Sequence, residues 1–575
     1  MVAHDSQYPP PRKHSLTFIG GALFSSDHKT IGLNYLWLAL VSVFLGMGLS
    51  LLMRIHLVWP GAHIPFASGL ATSPARYAAL TLLHGSLMVF MVLTAAPQAG
   101  LGNYFLPLQI GAREMAFPSL NAFSFWMTVF SLLGITISFF APLESGLTLW
   151  VASVALFCVA SVCTALNFSV TTIDLRISGM TLPRMPLTAW AWFVTAILGS
   201  LIFSILLAAC ALLLSDRMID TQFFNLPQIS ASATLYATGQ GVPLLWQRLF
   251  WFFAQAEVYV AMLPCFGIVS HLLSTFARKQ VWALRAVVLA LCGVGLFGFC
   301  IWGYHVFQSG LNPCAPPVFA IVAESLGLPA VILLVSWLGT LWNGRIQLTT
   351  AMLFAIGFVS LFIAGGLSGL FLARRDLAEA ALNDEFITGH FHLVMGVAAT
   401  FAILAGLFFW FPKMFGRRLN ETLGKWHFWL TFAGVYFVFM PMHWMGLLAH
   451  SGAASGSFLF PATSTITVMG DFVTLATTAT VVVQVIFLFN FVWTLRRGKK
   501  IADPNPWRAC TLEWSVASPA PSDNFGSVQP VVYRGAYEFL SNGEAKDFLA
   551  QNLAPQSADR NEQALFELKD REGKN

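Results

Sequence analysis

The sequence predicts an all-α membrane protein, a bundle of twelve transmembrane helices, and three observations carry that reading. Of 575 residues, 57% are hydrophobic and only 10% charged, with a mean hydropathy of +0.70; a soluble chain carries about 25% charged residues. The apolar residues gather into runs of about 20 or more, the length a helix needs to cross a bilayer. Backbone polar groups at that depth must be satisfied within the segment, so each run is helical. With 52 Phe and 19 Trp, the apolar surface is aromatic as well as aliphatic. This composition excludes a cytosolic enzyme, a nucleic-acid binder and a disordered chain.

The elements follow in order. A polar, proline-bearing segment, 1–30, lacks the charged-then-apolar layout of a cleaved signal, so the first span is expected to act as its own insertion signal. Spans are expected at 31–53, 78–100, 121–142, 147–169 and 188–214, then a long connection at 215–247. The next six are 248–275, 283–307, 314–341, 351–373, 387–411 and 427–449. A second long connection, 450–471, leads to the last span, 472–495, and a charged tail, 496–575. Three parts result: an N-terminal segment 1–30, a membrane domain 31–495 and a C-terminal tail 496–575. Loop by loop, eighteen Lys and Arg fall on the side of the termini against six on the other. The positive-inside rule then puts both termini in the cytoplasm of a multi-pass protein of a bacterial inner membrane. No internal repeat is evident.

The formal charge of +5 says little about partners, because it sits in short loops. Eight Cys lie nearly all within apolar runs and form no CxxC pair, so neither a disulfide framework nor a zinc site is expected.

Ionisable groups at membrane depth are costly and mark function. Among the thirteen His, those inside spans include His84, His305, His390, His392 and His443. The informative pair is His390-Phe391-His392. Two residues on a helix turn about 200°, so these rings project to opposite faces and one helix can hold two separate metal centres.

The ordered stretches DHKTIGLNYL, HGSLMVF, GNYFLPLQIGAREMAFPSLN, SGMTLPRMPL, QRLFWFFAQAEVYV, GHFHLVMG, KWHFWLTF and NPWRACTLEW resemble subunit I of the A-type heme-copper oxidases, the cytochrome c and quinol oxidases. The resemblance runs from Asp27 to Val532. It implies a twelve-helix bundle that binds two hemes. A low-spin heme would take His84 and His392, and a high-spin heme His390. Arg54 matches the family arginine beside the low-spin heme.

The family's third centre is a copper held by three His. One lies in His-Pro-Glu-Val-Tyr and two are adjacent on the next span. Here the matching stretches read Gln255-Ala256-Glu257-Val258-Tyr259 and Trp302-Gly303-Tyr304-His305. Only His305 remains. Imidazole suits copper, whereas carboxamide and phenol oxygens suit iron or no metal. Copper is therefore expected to be absent. Two readings stay open: a vacant or hydrogen-bonded pocket, or a non-heme iron or unusual copper held by His305, Tyr304 and a neighbouring Gln255 or Glu257. The family tyrosine that donates an electron and a proton falls on Tyr259, without the histidine to which it is normally linked.

Further family positions follow by resemblance. A proton route would start at Glu114, pass Asn103 and Asn121, and end at the buried Glu257. The lysine of the family's second route falls on Leu333, which carries no proton. The paired arginines near the heme propionates fall on Gly452 and Ala453, and of a nearby His-Asp pair Asp384 remains, beside Asn383. Arg374, Arg375 or Arg248 are candidates to replace the arginines. His271, His427 and His443 match family histidines that are not heme ligands.

Three functions fit. The first is a terminal reductase of O2, with electrons entering through a partner subunit from cytochrome c or quinol. The second is reduction of nitric oxide (NO) at an altered third site. The third is a non-catalytic heme subunit that relays electrons or senses a gas. Only the first two need Tyr259 and Glu257.

Overall fold

Each expected span falls wholly or partly on a helix in the computed structural model, which describes residues 24–60, 73–224, 243–302, 321, 324–373, 384–455, 462–526, 529–540 and 547–555. The helices are α1 (His28–Val58), α2 (Pro74–Ile110), α3 (Pro118–Phe140), α4 (Leu143–Asp174), α5 (Leu187–Met218), α6 (Pro243–Ala277), α7 (Leu284–Cys300), α8 (Gly327–Leu341), α9 (Thr350–Ala373), α10 (Glu385–Phe415), α11 (Glu421–Ser455) and α12 (Ala462–Arg497). Ten are long and apolar enough to cross a membrane, and α7 and α8 are shorter apolar helices. The expected seventh and eighth spans, 283–307 and 314–341, reach partly into residues outside those described.

Local chemistry sets the ends. The Asp27 carboxylate accepts the Thr30 amide (2.8 Å) and hydroxyl (2.7 Å) and so caps α1. Ser73 caps α2 through the Arg76 amide, with Pro74 in the first turn, where its missing N–H costs nothing. At the far end of α2, Gly111 adopts φ +84°, a left-handed turn that suits a residue without Cβ.

Neighbouring helices pack in pairs (α1 with α2, α3 with α4, α4 with α5, α5 with α6), and α10 touches α2, α6, α9 and α11. The apolar core of α6 is wholly enclosed, whereas α1 and α12 are mostly open to the surroundings. Two stretches depart from regular α geometry. Leu87–Gly102 in α2, which contains Pro97, and His392–Gly396 in α10 are π-helical. Such turns add a residue per turn and shift every following side chain around the axis.

The terminal face of the bundle, where α1 begins and α12 ends, is covered by the described part of the tail. Trp507, Trp514, Val532 and Tyr537 are buried there. Trp507 Nε1 donates to the Phe409 carbonyl (2.7 Å), and the Val532 amide donates to the Ser178 carbonyl (3.1 Å). Lys413, fully buried at the end of α10, donates to Val516 O (2.7 Å) and Ala517 O (3.2 Å). The segment after α12 is thus a cover rather than a free tail.

Candidate functional site

Three imidazoles meet at the centre, and all are held in the same way. His84 Nδ1 donates to the Gly46 carbonyl of α1 (2.9 Å). His392 Nδ1 donates to Thr388 O one turn earlier (2.8 Å). His390 Nδ1 lies 3.1 Å from Gly365 O and 3.0 Å from the Ser368 hydroxyl of α9. A carbonyl partner places the proton on Nδ1 and leaves Nε2 with its lone pair, the arrangement that metal-ligating histidines use.

The rings also separate as their spacing predicts. His390 turns to α9, where a Cβ on Gly369 would stand 3.1 Å from its Cε1. His392 stacks on Phe439 of α11, with ring centroids 4.7 Å apart and planes 9° apart, and lies within electrostatic range of His84. α10 therefore presents one imidazole toward α9 and another toward His84. The π turn begins at His392.

Arg54 stands at the end of α1 away from the termini. Its Nη1 donates to Glu385 of α10 (3.0 and 3.4 Å), while Nε and Nη2 are buried without a partner. Unmet buried donors of a guanidinium are costly and mark a place for an anionic or carbonyl group. Apolar space lies along the same side: a cavity of about 110 Å3 lined by Leu36, Val43, Val92, Ile403, Leu404 and Phe487. The free Nε2 atoms and the unmet Arg54 donors fit a heme.

Toward α7, Gln255 Nε2 reaches the Tyr259 hydroxyl (3.4 Å), and the absence of a Cβ on Gly298 makes room for the Tyr259 ring. Tyr304 and His305 lie outside the described residues, as do Arg374, Arg375 and Asn383. Among the described residues no group of three or more His, Cys, Asp or Glu is arranged to hold a metal ion. The carboxamide of Gln255, where the family has an imidazole, does not fit copper.

The polar residues expected to carry protons line up from the terminal face inward. Glu114 is half-buried, and its Oε1 accepts the amides of His28 (3.0 Å) and Met115 (3.1 Å). Burial pushes its carboxyl up from the usual range, with the two amides pulling the other way. His28 Nδ1 donates to Asn103 O (2.7 Å). Asn103 Oδ1 and both amide atoms of Asn121 are buried with no partner. Above them Tyr35 bonds Ser124 (3.5 Å) and Thr128 (3.4 Å). A cavity of about 40 Å3 then opens, lined by Tyr35, Thr94, Gln98, Thr128, Thr164 and Thr195 among others. One water needs on the order of 10–15 Å3 and two to four polar partners; the lining is mainly apolar, and its hydroxyls and the Gln98 amide supply those partners. At its inner end the Thr94 hydroxyl contacts Glu257 Oε1. Glu257 Oε2 is buried without a partner.

Several of these residues escaped the reading of the sequence: Glu385, Tyr35, Thr94, Gln98 and the tail residue Asn524. Asn524 Nδ2 donates to His28 Nε2 (3.0 Å) and Ala112 O (2.9 Å), and its Oδ1 accepts from Lys29 (2.9 Å). A polar residue mid-span was available as a signal for Thr94 and Gln98; nothing local marked the others. Leu333 is buried, and His427 pairs with Gln484 (2.9 Å). His271 lies among the tail residues and not among the three central imidazoles, with Nδ1 3.2 Å from the Tyr537 hydroxyl.

Comparison with known proteins agrees with this geometry. The family model described as cytochrome c and quinol oxidase polypeptide I matches residues 30–476. An alternative cytochrome c oxidase subunit 1 of Bradyrhizobium diazoefficiens is 38% identical over 560 residues, covering 93% of each chain. A cytochrome c oxidase subunit 1 of Synechocystis is 36% identical and covers 91% of this chain and 93% of its own. A solved heme-copper terminal oxidase dimer superposes with a TM-score of 0.66 at 16% identity, over 93% of this chain and 97% of that one. The chain belongs to the cytochrome c and quinol oxidase polypeptide I family, the multi-pass, heme-binding subunit I of terminal oxidases.

Proposed function

We propose that this chain is the catalytic subunit of a terminal oxidase that reduces O2 to water: His84 and His392 would hold a low-spin heme and His390 a high-spin heme, and the hemes would supply the electron transfer and the site of reduction. The observation that carries the reading is the placement of His392 within electrostatic range of His84 and the turn of His390 toward α9, each ring with Nδ1 fixed by a carbonyl, a posture that His443 shares through Phe439 O (2.7 Å). The chain supplies the hemes' orientation, their charge environment and protons. Arg54, anchored by Glu385, offers two donors to the edge of the low-spin heme. The hydrocarbon-lined cavity beside α1 offers space for an apolar substituent.

Protons enter in this reading at Glu114 and pass the unmet amides of Asn103 and Asn121. They then cross the Tyr35–Thr94 cavity by way of water and reach Glu257. Every intermediate group is a neutral hydroxyl or amide that orients water without trapping a charge. Tyr259, tied to Gln255, is placed to give a proton and an electron near the high-spin site. With Leu333 buried where the family has a lysine, the route through Glu257 carries the whole supply. Electrons arrive through a partner subunit, from cytochrome c or quinol, and both termini face the cytoplasm of the cell membrane.

The third site holds no copper in this reading, because Gln255 replaces one imidazole ligand and Tyr304 a second. The test is iron and copper per heme on the purified complex, together with O2 and NO turnover. Two hemes, no copper beyond that of partner subunits, and O2 consumption are expected. One tightly held copper per two hemes overturns the third-site reading. NO turnover in place of O2 turnover replaces the substrate, and no turnover of either leaves an electron-relaying or gas-sensing subunit.

A further inference from the structure

The hydrogen bonds of Thr94 do not all fit at once. Its Oγ1 lies 2.7 Å from the Val89 carbonyl oxygen and also contacts Glu257 Oε1. A hydroxyl carries one hydrogen and two lone pairs, so it donates to only one of them. The charge of Glu257 decides which. A protonated Glu257 donates to Thr94 Oγ1, and Thr94 passes its own hydrogen to Val89. An ionised Glu257 has only acceptors. Thr94 must then turn its hydrogen to the carboxylate, whose Oε2 is buried with no partner.

Local backbone geometry makes that turn cheap. Val89 and Thr94 are five residues apart within the π-helical stretch Leu87–Gly102. A π turn pairs a carbonyl with the amide five residues on, so Val89 O keeps a partner when the hydroxyl leaves it. Thr94 is also one of the polar groups lining the cavity, and one turn further along α2 Gln98 lines the same cavity with its buried Oε1 unmet. The carboxyl of Glu257 is thereby tied to the place where water would gather.

We propose that Thr94 is a positioning residue for Glu257: its hydroxyl, in contact with the carboxyl, holds that group at the cavity whichever of the two supplies the hydrogen. Only O–H bonds change. Glu257 gives up its proton inward and recovers one from cavity water, and the proton missing from that water is replaced from the Glu114 end. The inference rests on Glu257 being the last proton relay, and its test separates the two.

The test is infrared difference spectroscopy on the intact complex, reading the C=O stretch of the protonated Glu257 carboxyl. That band is identified by its loss in Glu257→Gln. Thr94→Val keeps the shape and removes the hydroxyl. The band is expected to move to higher frequency and turnover to fall about tenfold, the worth of one charge-assisted hydrogen bond, with heme spectra unchanged. Thr94→Ser should restore both. A band unmoved in Thr94→Val, or a Ser variant that behaves like the Val variant, overturns the proposal. If Thr94→Val does not assemble with heme, Thr94→Ala lacks the same hydroxyl, and the same band decides. Unchanged turnover in Glu257→Gln sinks the relay reading, while the band position still decides whether Thr94 holds the acid.

Discussion

The terminal face and the rest of the bundle treat buried polar groups differently. At the terminal face most are met, the exceptions including His271 Nε2, Thr511 Oγ1, Glu513 Oε2 and Trp514 Nε1. Arg278 bonds Asp547 with two nitrogens and also donates to Trp507 O (3.1 Å) and Arg508 O (2.9 Å). Lys413 finds backbone carbonyls, and Asn524 uses every atom of its amide. Away from the tail the groups are left open: both amide atoms of Asn121 in the first turn of α3, one oxygen of Gln98, one of Glu257, and two donors of Arg54 at the far end of α1. Native proteins satisfy nearly all buried polar groups, so a cluster of exceptions marks places meant for something else, here cofactor and water. Met groups hold the fold, and unmet ones await a guest.

The comparison breaks most visibly at the imidazoles, where the largest effect is expected. His84→Ala or His392→Ala should abolish the low-spin bis-histidine spectrum and leave a high-spin heme. His390→Ala should do the reverse, and all three should end turnover. Optical and paramagnetic resonance spectra of the purified complex read this directly. Loss of both signals from one such change, in a protein that still folds, would refute the arrangement of one heme on each side of α10.

The split between the two regions also explains what could be read from the sequence. Twelve spans were legible because bilayer length is a local property of a run, and each run falls wholly or partly on a helix. The opposite projection of His390 and His392 was legible because two residues on a helix fix an angle. Thr94 and Glu257 are 163 residues apart, and their meeting depends on how the π stretch rotates α2, which composition does not encode. Glu385 pairs with Arg54 across 331 residues. The tail was expected only as a charged segment following the last span, and Trp507, Trp514 and Tyr537 are the signal in it that it packs down.

Next in size are the carboxyls of the open region. Glu257→Gln keeps volume and hydrogen bonding but has no exchangeable acid proton. A positioned acid or base contributes typically 10²–10⁴-fold, so turnover should fall by about that factor while heme reduction by the donor stays fast. Glu114→Gln should cost less, since water at the half-buried mouth partly replaces it. Stopped-flow reduction alongside steady-state turnover separates the two steps. Unchanged turnover in an active Glu257→Gln preparation would remove the proton route.

The smallest effects test the met region through two tail carboxyls with opposite sign. The Arg278 guanidinium bonded to Asp547 holds that carboxyl below its usual range, against the opposing effect of burial, with Arg345 adding to the pull. An acid held low when folded stabilises the tail above its unfolded value, about 3.9, and that stability is lost as pH falls through the folded value. Asp547→Asn leaves Arg278 buried without its partner, at about 3 kcal/mol above pH 5 and progressively less in acid. Glu513 is one of the exceptions at this face. It is fully buried, its Oε1 accepts from Gln109 (3.1 Å) and lies 3.8 Å from His271 Nε2, and its Oε2 is unmet. Burial pushes its carboxyl up, against the pull of its hydrogen bonds. An acid held high when folded costs stability as pH rises from its unfolded value, about 4.3, toward the folded one. Glu513→Gln imitates the protonated acid, so it should change stability by less than about 1 kcal/mol in mild acid and flatten the loss above it. Protease cleavage of the tail, followed with temperature at several pH values, reads both. If Glu513→Gln were as damaging as Asp547→Asn at neutral pH, Glu513 would be ionised and paired with His271. The terminal face would then hold fewer exceptions, with Trp514 Nε1 and Thr511 Oγ1 still unmet.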